Sequence, residues 1–114
     1  MAITIWHNPR CSKSREALAI LEEQGFTANV RLYLQDTPTA DEIADVLRKI
    51  NLPAIAIVRT KEKAFKQAGL DQNSSDEVLI SAMAADPKLI ERAIVINGER
   101  AILGRPPEAI LDIL

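Results

Sequence analysis

"ITIWHNPRCSKSREALAILEEQG", residues 3–25, carries the chain from a strand through a polar turn into a helix. Ile3 to Trp6 is apolar and β-rich, and His7-Asn8-Pro9 ends it, because proline has no N–H to give to a ladder. A helix is predicted from about Ser12 to Gln24. Ala17, Leu18 and Leu21 form its apolar stripe, and Gly25 is placed to end it in a left-handed conformation. "ANVRLYL", residues 28–34, alternates about Val30, Leu32 and Leu34 and predicts a second strand. Strand, helix and strand in this order make a βαβ unit with a parallel pair.

Working outward, Thr39-Ala40-Asp41-Glu42 is a capping box, followed at helical spacing by Ile43, Val46, Leu47 and Ile50. Thr60 is expected to cap a short helix to about Ala68, which Gly69 ends. Ser74-Ser75-Asp76-Glu77 is a second capping box and opens a helix whose expected buried face is Val78, Leu79, Ala82 and Met83. Asp86-Pro87 joins an N-cap to a proline at the first position of a single turn. "AIVI" (93–96), the turn Asn97-Gly98 and "RAIL" (100–103) read as a β-hairpin. Pro106-Pro107-Glu108 starts a last helix with Ile110, Leu111 and Leu114 on one face. The order is therefore β-α-β, a block of helices, then β-β-α. It predicts a thioredoxin-like mixed four-stranded sheet with a helical insertion, in one domain over residues 1–114 with no linker or repeat.

Composition narrows the function classes. A chain of 114 residues, 47% apolar and 26% charged, matches an ordinary soluble globular domain able to bury a core without staples. A formal net charge of −2 gives no electrostatic footprint for nucleic acid or anionic lipid, so neither is expected as a partner. Cys11 is the only cysteine, so no internal disulfide forms and nothing points to secretion. "MAITIW" enters the strand pattern with no basic or long apolar leader, and no membrane span follows; a cytoplasmic location is expected.

Cys11 stands at the predicted first turn of the first helix. A thiol reacts as its thiolate, and an ordinary one, with a pKa of about 8.5, is mostly protonated at neutral pH. Unpaired helix N–H groups and the positive end of the macrodipole favour the anion, and Arg10, Lys13 and Arg15 add positive charge. His7 lies just upstream. Ser14 falls close to one turn on, where its hydroxyl is expected to donate to the sulfur. Most lone cysteines are small buried hydrophobes, but this one sits in a polar, basic, proline-turned loop, which favours a reactive thiol.

Spacing excludes other thiol chemistries. The residue that would complete a C-x-x-C dithiol is Ser14, the arginine of a C-x5-R phosphatase loop is replaced by Ala17, and one Cys with one His builds no zinc site. A single thiol must borrow its resolving thiol from another molecule. Arg59, Arg92 and Arg105 flank core elements, and singly each reads as a surface arginine. Converging at the start of the first helix, three guanidiniums would suit a tetrahedral oxyanion.

"HNPRCSKSRE", "VRTKEKAFK", "LISAMAADPKLIERAIVI" and "LGRPPEAIL" together closely resemble the glutaredoxin-linked arsenate reductases, over essentially the whole chain. The resemblance implies Cys11 as nucleophile, with His7 and Ser14 favouring its thiolate. It implies Arg59, Arg92 and Arg105 as the oxyanion-binding set, with Asn8 in the active-site turn and grouped with them. No bound cofactor or metal is implied. Arsenate would be attacked by Cys11, glutathione would serve as co-substrate, and glutaredoxin would reduce the mixed disulfide left on the enzyme. One position departs from the family, which usually has Arg-Pro-Ile, with a cis proline, where this chain has Arg92-Ala93-Ile94. A cis bond before a residue other than proline costs about 2.5–4 kcal/mol, so Arg92–Ala93 is expected to be trans.

Two other readings compete. One is a related glutathione-dependent monothiol oxidoreductase with a different substrate; the arginine set speaks against it, since disulfide exchange needs no oxyanion site. The other is a non-enzymatic regulator of the Spx type, which shares the fold; many such regulators carry a C-x-x-C switch that Ser14 removes here.

Overall fold

In the computed structural model, which describes residues 3–114, the opening stretch folds as a strand, turn and helix: β1 is Ile3–Trp6 and α1 is Ser12–Glu23. Gly25 closes the helix at φ +86°, a conformation that costs glycine little. β2 (Ala28–Arg31) pairs parallel with β1, Ile3 opposite Ala28 and Trp6 opposite Arg31. Between the halves of the sheet lie α2 (Ala40–Ile50), α3 (Lys63–Gln67) and α4 (Asp76–Ala85). β3 (Ile94–Asn97) returns antiparallel to β1, and β4 (Arg100–Leu103) pairs antiparallel with β3, giving the order β2-β1-β3-β4. This is the mixed four-stranded thioredoxin-like sheet with a helical insertion.

Alternation along the central strands gives the sheet two buried faces. Ile3, Ile5 and Val95 pack with Ala17 and Leu21 of α1 and with Ile110 and Ile113. Trp6 and Ile94 face the other way, into a larger cluster with Ile43 and Leu47 of α2 and Leu79 and Met83 of α4. Each fully buried aliphatic contributes roughly 1.5–3 kcal/mol, so these two layers, rather than four-residue strands, hold the sheet in place. The capping box of α2 is complete. The Glu42 N–H donates to Thr39 Oγ1 at 3.1 Å, and the Thr39 N–H to Glu42 Oε1 at 3.0 Å. Among the described residues no helix is long and apolar enough to cross a membrane.

Several boundaries and faces differ from the sequence expectation. β2 stops at Arg31 because the chain turns there, with the Gln35 and Asp36 N–H groups both donating to Leu32 O. The turn puts Tyr33 in the core and leaves Val30 and Leu34 exposed. α3 takes Glu62 as its N-cap rather than Thr60, since the Glu62 N–H first closes a turn onto Arg59 O. In α4 the N-cap is Ser75, which accepts the Val78 N–H, so the expected Ser74–Glu77 capping box does not form. Ser74 Oγ is taken by the Asp71 N–H, and with Val78 pointing outward Leu79 and Met83 make the buried stripe. Asn97 stays in the ladder opposite Arg100 and donates from Nδ2 to Ile113 O at 2.6 Å, so the hairpin loop is Gly98-Glu99. The last helix, Pro107–Ile113, is a 3-10 helix. Its buried residues therefore repeat every third position, Pro107, Ile110 and Ile113, and Leu111 faces solvent.

Candidate active site

The turn between β1 and α1 is braced from several sides. The Cys11 N–H donates to Asn8 O, the Arg10 N–H to Asn8 Oδ1, and Arg15 Nη1 reaches back to Pro9 O at 2.8 Å. Beneath it lies Ser14, fully buried, whose Oγ accepts the Asn8 N–H at 3.0 Å and sits 2.7 Å from His7 Nδ1. These bonds fix Cys11 as the N-cap of α1, with extended backbone at φ −98° and ψ 123°. Lys13 and Arg15 crowd positive charge onto a helix end that is already positive, which opposes the helix and favours an anion.

From the start of the β3–β4 half, Arg92 donates its Nε–H to Cys11 Sγ at 2.9 Å. Burial of the sulfur pushes the thiol pKa up. The Arg92 N–H, the Ser14 backbone N–H, the Arg92 charge and the Lys13 N–H outweigh burial, and Cys11 is left below the ordinary thiol value. The two backbone N–H groups act from the first turn without closing a capping hydrogen bond to the sulfur. His7 lies below its usual 6.5, first through burial and then through the Arg15 charge, so it is uncharged at pH 7. The expectation that the Ser14 hydroxyl donates to sulfur therefore changes: the hydroxyl is taken up by Asn8 and His7, and Ser14 acts on Cys11 through its backbone. His7, being neutral, supports the turn rather than adding charge.

The Arg92–Ala93 peptide is cis, as is Arg105–Pro106, which corrects the expected trans bond at Ala93. Contacts on both sides hold it. The Arg92 side chain is bonded to Cys11, while Ala93 is wholly buried and its carbonyl accepts the Gly104 N–H at 2.8 Å.

Around Cys11 opens a cleft of about 640 Å³, lined by Arg59, Arg92, Arg105, Lys13 and Lys61 among others. Arg59 arrives there because residues 57–59 pair with 89–91: the Arg59 N–H donates to Leu89 O and the Glu91 N–H to Ile57 O, each at 2.7 Å. The fold thus brings Cys11 and the three arginines together. Asn8 does not line the cleft; its Oδ1 closes the turn. Sequence reasoning missed the acidic partners. Glu91 pairs with Arg105 Nη1 and lies 3.9 Å from Arg59 Nε, and Glu62 is 3.2 Å from Arg59 Nη1. The i,i+3 spacing of Arg59 and Glu62 was a usable signal, whereas Glu91 meets its arginines only through tertiary pairing. Tyr33 also lies under the site. Burial pushes its hydroxyl up to about 12, so it stays protonated and serves as no base.

A thioredoxin-like sheet that presents one thiol of lowered pKa to a cleft lined in part by three guanidiniums defines a single-thiol protein. The chain belongs to the ArsC family, whose profile matches residues 6–113. It is 42% identical to a Haemophilus influenzae protein named arsenate reductase, over the full length of both chains. It is 44% identical to an arsenate reductase of Neisseria meningitidis serogroup B, covering 98% of this chain and 97% of the relative. The solved structure of an arsenate reductase from Vibrio cholerae superposes with a TM-score of 0.95 at 46% identity, covering 100% of this chain and 98% of that one.

Proposed function

We propose that this chain reduces arsenate to arsenite with the Cys11 thiolate, using glutathione as co-substrate and glutaredoxin as the partner that restores the enzyme. The observation that carries the proposal is the 2.9 Å hydrogen bond from Arg92 Nε to Cys11 Sγ, in a cleft also lined by Arg59 and Arg105. It joins the nucleophile to the charge that would hold its substrate.

The thiolate attacks arsenic and forms an S–As bond, and one arsenate oxygen leaves as water after taking protons from solvent. The arginines neutralise the other oxygens, so that an anion can approach a thiolate. A glutathione thiolate then bonds to the Cys11 sulfur. The S–As electron pair passes to arsenic, which leaves as arsenite, As(III), with Cys11 in a mixed disulfide. A glutaredoxin thiolate attacks the glutathione sulfur of that disulfide, and Cys11 departs as thiolate. An external thiol is needed because this chain has no second cysteine and Ser14 holds the resolving position. A reducing, glutathione-rich cytoplasm is the compartment that suits this chemistry.

The test is arsenate-dependent NADPH oxidation, coupled through glutathione, glutaredoxin and glutathione reductase. Activity in wild type and background rates in Cys11→Ser are expected. Oxidation that needs neither arsenate nor Cys11 would overturn the proposal.

A further inference from the structure

Resting on the oxyanion reading of the Cys11 cleft, we propose that Glu91 is a built-in occupant of the anion site, a carboxylate that an incoming dianion must displace from Arg105. Three guanidiniums facing one cleft repel one another before any substrate arrives. Glu91 stands among them and offsets that repulsion: Oε2 pairs with Arg105 Nη1, and Oε1 lies 3.9 Å from Arg59 Nε.

The two partners differ in freedom. The Glu91 side chain is 14% exposed and its backbone is pinned by the N–H bond to Ile57 O, whereas the Arg105 side chain is 57% exposed. Displacement therefore means that Arg105 swings from a fixed carboxylate to the substrate. Arg92 differs from both neighbours, since Cys11 is its one hydrogen-bond partner among the described residues. A tetrahedral dianion reaching the sulfur would meet Arg92 open to it and would compete with Glu91 for Arg105. Glu62 holds Arg59 in the same way, but from the i+3 position of a local turn.

After the exchange the Glu91 charge remains beside the bound anion and opposes it. Replacing that charge with a neutral isostere should strengthen anion binding by on the order of tenfold at low salt, less as salt screens the cleft. Glutamine keeps an oxygen that can accept from Arg105, so Glu91→Gln isolates the charge from the ordering of the arginine.

The experiment is calorimetric titration of the full chain with inorganic phosphate, an oxyanion the thiol does not reduce. About tenfold tighter binding in Glu91→Gln than in wild type, narrowing with added sodium chloride, is expected. Wild type binding phosphate with Glu91→Gln equal or weaker would overturn the role of Glu91 and leave the oxyanion site standing. Absence of binding in both proteins would overturn the oxyanion reading and this proposal with it. A measurement on wild type avoids any question of folding: saturating phosphate should move the side-chain carboxyl ¹³C resonance of Glu91. An unmoved resonance with phosphate bound would also refute displacement.

Discussion

Removing the Arg92 side chain should deactivate Cys11 in a way that a single-cysteine protein reports cleanly. In Arg92→Ala the sulfur loses the 2.9 Å Nε–H bond and the adjacent positive charge, while the Ser14 and Lys13 backbone N–H groups remain. A hydrogen bond to a charged group is worth about 1.5–3 kcal/mol, and this bond, only part-buried, belongs near the lower end. The acid dissociation constant of the thiol should therefore fall on the order of tenfold. A more basic thiolate is also a better nucleophile, and a Brønsted coefficient near one half returns about half of that loss on a logarithmic scale, so the rate measured below the midpoint should drop about threefold. The assay is the pseudo-first-order rate of iodoacetamide alkylation against pH. For Arg92→Ala the midpoint should move to higher pH and the high-pH plateau should rise. Arg92→Lys, which keeps the charge without the planar donor, should fall between the two. An unchanged midpoint in Arg92→Ala would refute the reasoning and leave the helix N–H groups as the source of activation.

Ser14→Ala should cost about 1–3 kcal/mol of stability, because it strips the acceptor from the Asn8 N–H and leaves buried His7 without its partner. Its alkylation midpoint should stay near that of wild type, and a large upward move would restore the hydroxyl as a direct donor to sulfur. Glu42 is held at about 2, from a usual 4.5, chiefly by Arg31 and then by the Thr39 N–H. A carboxyl depressed in the fold contributes stability above about pH 4.5 that disappears as pH falls toward 2. Thermal melts of Glu42→Gln should therefore lie about 2–4 °C below wild type at neutral pH, the size of a partly exposed ion pair, and converge with it near pH 2. Parallel melting curves across that range would count against the Arg31–Glu42 pair. Gly104→Ala should lower stability by about 1 kcal/mol, since its Cβ would meet Ile110 Cγ2 at 3.3 Å and Ala93 O at 3.4 Å. That carbonyl is already tied to the Gly104 N–H, so an unchanged melting temperature would mean that the hairpin shifts freely at this point.

The parts of the fold that local chemistry governs were legible in the sequence. The Thr39–Glu42 capping box, the Gly25 stop and the polar turn before α1 each depend on residues a few positions apart. Faces and periods decided by packing were less legible. Alternation alone could not show that β2 would end at Arg31 and bury Tyr33, nor that the C-terminal segment would wind with a period of three and expose Leu111. The candidate site divides in the same way. Cys11, Arg59, Arg92 and Arg105 carry their chemistry in their residue types, and they do line one cleft. Where the Ser14 hydroxyl points, whether His7 is charged and which carboxylate faces Arg105 depend on burial and on the pairing of residues 57–59 with 89–91. The cis peptide at Ala93 has no signal of its own in the chain, because alanine does not announce it.

Intact-mass spectrometry of the reduced protein, mixed with arsenate and reduced glutathione and with glutaredoxin left out, tests arsenate reduction at Cys11 most directly. Reduced glutathione cannot form a disulfide with a thiol unless something accepts two electrons, and here arsenate is the acceptor. The expected result is a protein carrying one glutathione, mapped to Cys11, with one arsenite released per adduct and the adduct removed when glutaredoxin is added. An adduct that forms equally without arsenate, or arsenite released by Cys11→Ser at the wild-type rate, would contradict it.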